Sequence, residues 1–176
     1  MTQKKAKRMD DDGAVLFRPE RLEYVRRLAK PKHCVFCAAT KATPSFSNLV
    51  LLRGKRAMVV LNKYPYNNGH LLVLPTRHEG GLVALDEKEH RDLHRLLRES
   101  VRILQETYSC PGLNVGLNLG AAAGAGIPDH LHYHLVPRWR GDTNFFPLIA
   151  KTKVVVETLE QTFSRLQPAF DKTRKG

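Results

Sequence analysis

Apolar residues recur along this chain in two rhythms. Three short, nearly continuous runs come first: Leu49 to Leu52, Ala57 to Leu61 and Leu71 to Leu74. Gly54 separates the first pair, and Gly69 and Pro75 bracket the third run, so each reads as a buried strand between turns. The rhythm then changes. Leu93, Leu96, Leu97, Val101 and Leu104 fall at helical spacing behind Asp86-Glu87-Lys88-Glu89. Asp86 is placed to cap that helix, and Glu89, three residues on, completes a capping box. Pro111 lies just past its end. Gly112 to Leu119 reads as another strand, Gly120 to Gly126 as a loop of small residues, Leu131 to Val136 as the last core strand, and Val155 to Leu166 as a final helix packing through Leu159, Phe163 and Leu166.

Upstream, residues 1–16 are polar and charged without period and read as a basic tail. A short helix follows Arg18-Pro19-Glu20, with Leu22, Val25 and Leu28 on one face and Pro31 at its end. Cys34 to Ser47 reads as a loop. Strands, one long helix, then more strands describe an α+β domain with a mostly antiparallel sheet of about five strands rather than βαβ repetition. The expected division is a tail at 1–16, one domain at 17–150, and a C-terminal helix and tail at 151–176.

Charge narrows the partners. The formal net charge of +12 suits an anionic partner, although part of it sits in the terminal clusters Lys4, Lys5, Lys7, Arg8 and Lys172, Arg174, Lys175. No run approaches the ~20 apolar residues of a membrane span, and no signal-type apolar stretch follows the first basic residues. The three cysteines, Cys34, Cys37 and Cys110, do not read as a secreted disulfide framework. The expectation is a cytoplasmic protein.

The chemistry concentrates in Asp129-His130-Leu131-His132-Tyr133-His134-Leu135-Val136-Pro137-Arg138-Trp139. In a strand, alternate side chains share a face. His130, His132 and His134 therefore line one side, facing a cleft, and Leu131, Tyr133 and Leu135 the other, facing the core. Neutral imidazole serves as nucleophile, base or metal ligand near neutral pH, whereas a purely structural sheet face gains nothing from three coupled histidines. The preceding loop, with Gly120, Gly124 and Gly126, lets backbone approach a phosphate. It matches neither a Walker loop nor GxGxxG.

These residues resemble the histidine triad (HIT) superfamily. The likeness is carried by Asn118-Leu119-Gly120, the small-residue loop, His130-Leu131-His132-Tyr133-His134 with Pro137-Arg138, and upstream by Leu61-Asn62-Lys63-Tyr64-Pro65 with Gly69-His70-Leu71-Leu72-Val73-Leu74-Pro75. Trp139 to Phe145 is most similar to a bacterial branch that includes diadenosine tetraphosphate phosphorylases. The resemblance implies that His132 attacks the α-phosphorus of an adenine nucleotide or dinucleoside polyphosphate and forms a covalent nucleotidyl-histidine. His134 would bond a phosphate oxygen or the leaving group, with His130 completing the triad. Asn62 would contact ribose, Asn118 phosphate or sugar, and Gly124, Ala125 and Gly126 the phosphate through backbone N–H groups. Many members carry Ser or Gln in that loop; Gly126 here offers backbone alone. Arg138 and Arg140 are either polyphosphate contacts or solvated surface. A homodimer joining two sheets is also implied.

Cys34-Val35-Phe36-Cys37 has the spacing with which two thiolates grip one metal, and alone it also fits a redox pair or two buried cysteines. The resemblance implies a structural zinc ion held by Cys34, Cys37, His78 and His130, with His33 as a competing ligand. His90 and His94 lack the Glu of HExxH and read as surface residues. The favoured reaction is phosphorolysis of diadenosine tetraphosphate. Hydrolysis of dinucleoside polyphosphates or phosphoramidates is the alternative, followed by a low-turnover nucleotide-binding regulator. With no zinc-finger repeat or aromatic RNA-binding signature, the sequence argues against a nucleic-acid partner.

Overall fold

The structure, a computed structural model, describes residues 33–41, 43–142 and 156–173. Five strands form one antiparallel sheet in the order β1-β2-β3-β5-β4: β1 Val50–Arg53, β2 Ala57–Leu61, β3 Leu71–Pro75, β4 Gly112–Leu117 and β5 Tyr133–Arg138. Helices α1 (Val35–Thr40), α2 (Glu87–Tyr108) and α3 (Leu159–Thr173) complete the described elements with three short 3₁₀ turns. The α+β fold with a mostly antiparallel sheet is the expected one.

Both sheet faces are covered where the strands are apolar throughout. Leu51, Val59, Leu71, Val73 and Leu135 pack with Leu93, Leu96, Ile103 and Leu104 of α2 and with Leu166 and Phe170 of α3. On the other face Val50, Met58, Val60, Leu72 and Leu74 pack with Phe36 of α1. Deleting a fully buried side chain such as Leu135 would cost about 2–5 kcal/mol.

Several expected boundaries move. The segment read as a loop from Cys34 to Ser47 contains α1 and a 3₁₀ turn at Phe46–Asn48. Six helical residues are too few to show a period, and Cys34 caps α1 without a side-chain bond. The last strand starts at Tyr133, not Leu131, because its partner strand runs out of donors. Val73 pairs with Tyr133, and two residues on, Pro75 has no N–H to extend the ladder. Leu131 instead donates its N–H to the Glu79 carbonyl at 2.7 Å. β4 ends at Leu117, short of Leu119.

Helix α3 starts at Leu159, where Thr158 and Gln161 exchange side-chain-to-backbone bonds of 3.1 and 2.8 Å, and it runs through Pro168 to Thr173. Val155, the tail at 1–16 and the helix expected after Arg18 lie outside the described residues. No helix among the described residues is long and apolar enough to cross a membrane.

Candidate active site and metal cluster

The alternation read from the sequence holds in three dimensions, with one change. Leu131 and Leu135 enter the core under α2 and α3, and the rings of His132 and His134 meet edge to face, 5.0 Å apart, on the other side. His130 and His132, however, do not line an open cleft. Both are buried beneath Phe36, whose ring lies 5.3 and 5.2 Å from theirs.

Main-chain groups assign the proton on each ring. The Nδ1 of His132 lies 2.8 Å from the His130 carbonyl. A carbonyl only accepts, so Nδ1 carries the proton and Nε2 keeps its lone pair. Burial pushes His132 below the usual imidazole range, opposed by that same bond. His134 is fixed differently. Its Nδ1 lies 3.0 Å from Nε2 of His70. On the far side of His70, the Tyr66 N–H donates to Nδ1 at 2.9 Å, so His70 must donate through Nε2. His134 therefore accepts at Nδ1 and presents Nε2–H. Burial, with the neighbouring His132, holds His134 down to about 4, so it is neutral at pH 7.

His70 is the functional candidate that sequence reasoning passed over. It is fully buried at the start of β3, and its signal was available: a histidine next to an otherwise uninterrupted apolar run has to find a partner when buried. Gly69 brings it there, with φ of +72° and a backbone so close to Tyr108 that a Cβ would sit 2.8 Å from the ring.

Asn62 lies beside His70. Its Oδ1 accepts the Tyr64 N–H at 2.9 Å, and its Nδ2 lies 3.3 Å from both ring nitrogens, of which Nδ1 is the one able to accept. Asn118 follows β4 on the same side as His134. In the small-residue loop, Gly124 and Ala125 donate their N–H groups within the loop, to Ala121 and Gly120 at 3.0 and 3.3 Å. The N–H of Gly126 has no partner among the described residues. Arg138 is tied to Asp142 at 2.7 Å and Asn114 at 2.9 Å, while Arg140 is exposed.

A second cluster adjoins the first. Donor atoms of Cys34, Cys37, His78 and His130 all lie within 4.8 Å of one another and could hold a metal ion. Sulfur-to-nitrogen separations are 3.4 Å (Cys34 to His130), 3.7 Å (Cys37 to His130) and 3.1 Å (Cys37 to His78). Ligands about 2.0–2.3 Å from a shared tetrahedral centre stand at roughly those separations from each other. His130 is prepared as a ligand: its Nε2 lies 2.9 Å from the Pro75 carbonyl, so Nε2 carries the proton and Nδ1 faces the thiols with a lone pair. His33 is exposed and is not in the cluster. His90 and His94 stack on each other along α2, away from it, and Cys110 is a buried thiol.

Comparison with known proteins agrees with this geometry: a sequence model of the HIT domain matches residues 44–141. The chain belongs to the HIT domain family. This HIT chain is 44% identical over 114 residues to a protein of Mycobacterium tuberculosis named AP-4-A phosphorylase, covering 65% of this chain and 58% of the relative. It therefore spans little more than half of that relative's length. It is 32% identical over 93 residues to the asymmetrical bis(5'-nucleosyl)-tetraphosphatase of Schizosaccharomyces pombe, covering 53% of this chain and 50% of that one. The HIT fold is matched by a zinc-bound histidine triad family protein from Mycobacterium smegmatis, with TM-score 0.63, 24% identity, and 81% and 96% of the two chains covered.

Proposed function

We propose that this HIT-family protein is an enzyme that cleaves a nucleotide phosphoanhydride through a covalent nucleotidyl-His132, with phosphorolysis of diadenosine tetraphosphate as its reaction. One observation carries the reading. The His130 carbonyl holds the proton on His132 Nδ1, leaving an Nε2 lone pair beside the Nε2–H of a neutral His134. Nucleophile and donor are thus set in complementary states before substrate arrives.

In the first step the His132 Nε2 lone pair forms a bond to the α-phosphorus. The bond from phosphorus to the bridging oxygen breaks, its electron pair leaves with ATP, and His134 donates a hydrogen bond to the departing side. In the second step an oxygen of inorganic phosphate attacks the phosphorus, the P–N bond breaks, its pair returns to Nε2, and ADP is released. The free N–H of Gly126 is the best-placed loop donor for a phosphate oxygen. Gly124 and Ala125 shape the loop, whereas Asn118 and Asn62 hold the sugar-phosphate edge and ribose. The relative named AP-4-A phosphorylase supports this substrate.

We further propose that the Cys34, Cys37, His78 and His130 cluster holds structural zinc. Two thiolates and two imidazoles make a closed donor set for that ion, and the zinc-bound relative supports the choice. The ion would fix His130, and with it the carbonyl that orients His132. Strand β4 stands at the sheet edge with Val115 exposed, and we assign it to the contact between two sheets in a homodimer. A cytoplasmic location fits two free thiols at a metal site.

Hydrolysis is the second reading, favoured by the S. pombe relative's name. Product analysis separates the two. ADP plus ATP, formed only with inorganic phosphate, supports phosphorolysis. AMP plus ATP without phosphate dependence supports hydrolysis. Nucleotide binding without any turnover would leave a regulator.

A further inference from the structure

Past His134 the same sheet face continues as an open groove that shares His134 and Asn118 with the site above and runs on beyond them along β4 and β5. Tyr66, Asn114, Gly116, Asn118, His134 and Val136 line it, together with the apolar Val115 and Leu117 of β4. Its volume is about 280 Å³, near the lower end for small-molecule sites. Gly116 pairs with His134 across β4 and β5, and a Cβ placed on it would meet no atom within 4 Å. The groove is therefore open because this strand residue has no side chain. Tyr66, 46% exposed, lies along the wall with its ring 30° from the plane of His134, centroids 6.1 Å apart. Asn114 accepts from Arg138 through Oδ1, which turns its Nδ2 hydrogens away from that bond.

The chemistry of this groove is aromatic and amide, not cationic. No lysine among the described residues lines it, and the nearby Arg138 is committed to Asp142 and Asn114. That suits a nucleoside better than a bare phosphate. The position is also distinctive. Phe36 covers His132 from the α1 side, whereas the groove begins at His134, on the side assigned to the departing group.

We propose that the groove receives the second nucleoside of a dinucleoside polyphosphate, the one that leaves with the departing polyphosphate, its base stacking on Tyr66 and its edge bonding Asn114. This rests on the nucleotidyl-His132 reading. It gives that reaction a source of selectivity for substrates with a nucleoside at both ends.

Binding of non-cleavable, methylene-bridged analogues tests it without relying on turnover. Calorimetry would compare a diadenosine tetraphosphate analogue with an adenosine tetraphosphate analogue of equal phosphate number. Tyr66→Ala keeps the backbone N–H that orients His70. It should weaken the two-nucleoside analogue about tenfold or more, the scale of one lost aromatic–base stack, and the one-nucleoside analogue by less than about twofold. Tyr66→Phe should behave as wild type. Gly116→Val places a side chain in the groove at a position where a Cβ meets no atom within 4 Å, and should reproduce the selective loss. Equal losses for both analogues, or no loss in either variant, would overturn the groove assignment while leaving the His132 reading intact. Failure of the wild type to bind either analogue would overturn both.

Discussion

The Nε2 of His70 and the Nδ1 of His134 lie 3.0 Å apart, and a backbone N–H decides which of them holds the proton. Because Tyr66 donates to the other nitrogen of His70, His70 is the donor and His134 is left with its own proton on Nε2. Replacing His70 with Ala should lower kcat about 10- to 100-fold, the range found when the partner that orients a functional imidazole is removed. The melting temperature should be followed in parallel. His70→Gln, whose side-chain amide can still donate, should recover part of the loss. Equal activity of the wild type and His70→Ala would show that the proton on His134 is not set this way.

The same ring makes a prediction in pH. His134 is held down to about 4, first by burial and then by His132, below the ordinary imidazole value near 6.5. The sign is destabilising toward acid. As pH falls from about 6.5 to 4, the unfolded chain takes up a proton that the folded one refuses, so folding stability declines. Titration followed by imidazole NMR should show His134 still neutral through the ordinary imidazole range and protonating only with a midpoint near 4. A midpoint near 6.5 would contradict its buried placement.

Glu89 titrates with the same sign for a different reason, its charged form being stabilised in the fold. It completes the capping box with Asp86 and bonds Arg77 in a bidentate pair at 2.8 and 2.9 Å, which anchors the end of β3 next to His78. The Arg77 guanidinium, helped by the Asp86 N–H, lowers its carboxyl to about 2. That stability is present above the ordinary carboxylate range, near 4.5, and is lost as pH falls through about 2. Glu89→Gln should cost about 1–2 kcal/mol at pH 7 by urea unfolding, with a difference that narrows at low pH. A loss independent of pH would point to packing instead of charge.

Much of this was legible beforehand because it depends on local pattern. Ala57 to Leu61 is apolar at every position and forms β2 over those same residues. The Asp86–Glu89 capping box is as the sequence spells it. The alternating histidines keep their shared side, and Cys34, Cys37, His78 and His130 come together. What local pattern could not give are the consequences of long-range pairing. The apolar run beside His70 signals that a buried imidazole there needs a partner, but not which one, because His134 is 64 residues away. Tyr133 replaced Leu131 as the start of β5 because Pro75, on another strand, cannot donate. Helix α1 escaped because Phe36 is held by His130 and His132, not by any period of its own.

The metal assignment predicts about one zinc ion per chain by elemental analysis of protein prepared without chelator. Cys37→Ser should lose the ion and lower Tm by roughly 5–10 °C, as follows from about 3 kcal/mol in a chain of this size. Full stability in a metal-free preparation would remove the structural role.

The central claim is the covalent bond to His132, and peptide mass spectrometry tests it most directly. The protein would be mixed with diadenosine tetraphosphate in the absence of inorganic phosphate, quenched at alkaline pH where a phosphoramidate survives, and digested. One adenylyl group on the peptide containing His132, absent from His132→Ala and discharged as ADP when phosphate is added, is the predicted result. Turnover by the wild type with no adduct, an adduct on another residue, or undiminished turnover by His132→Ala would contradict it.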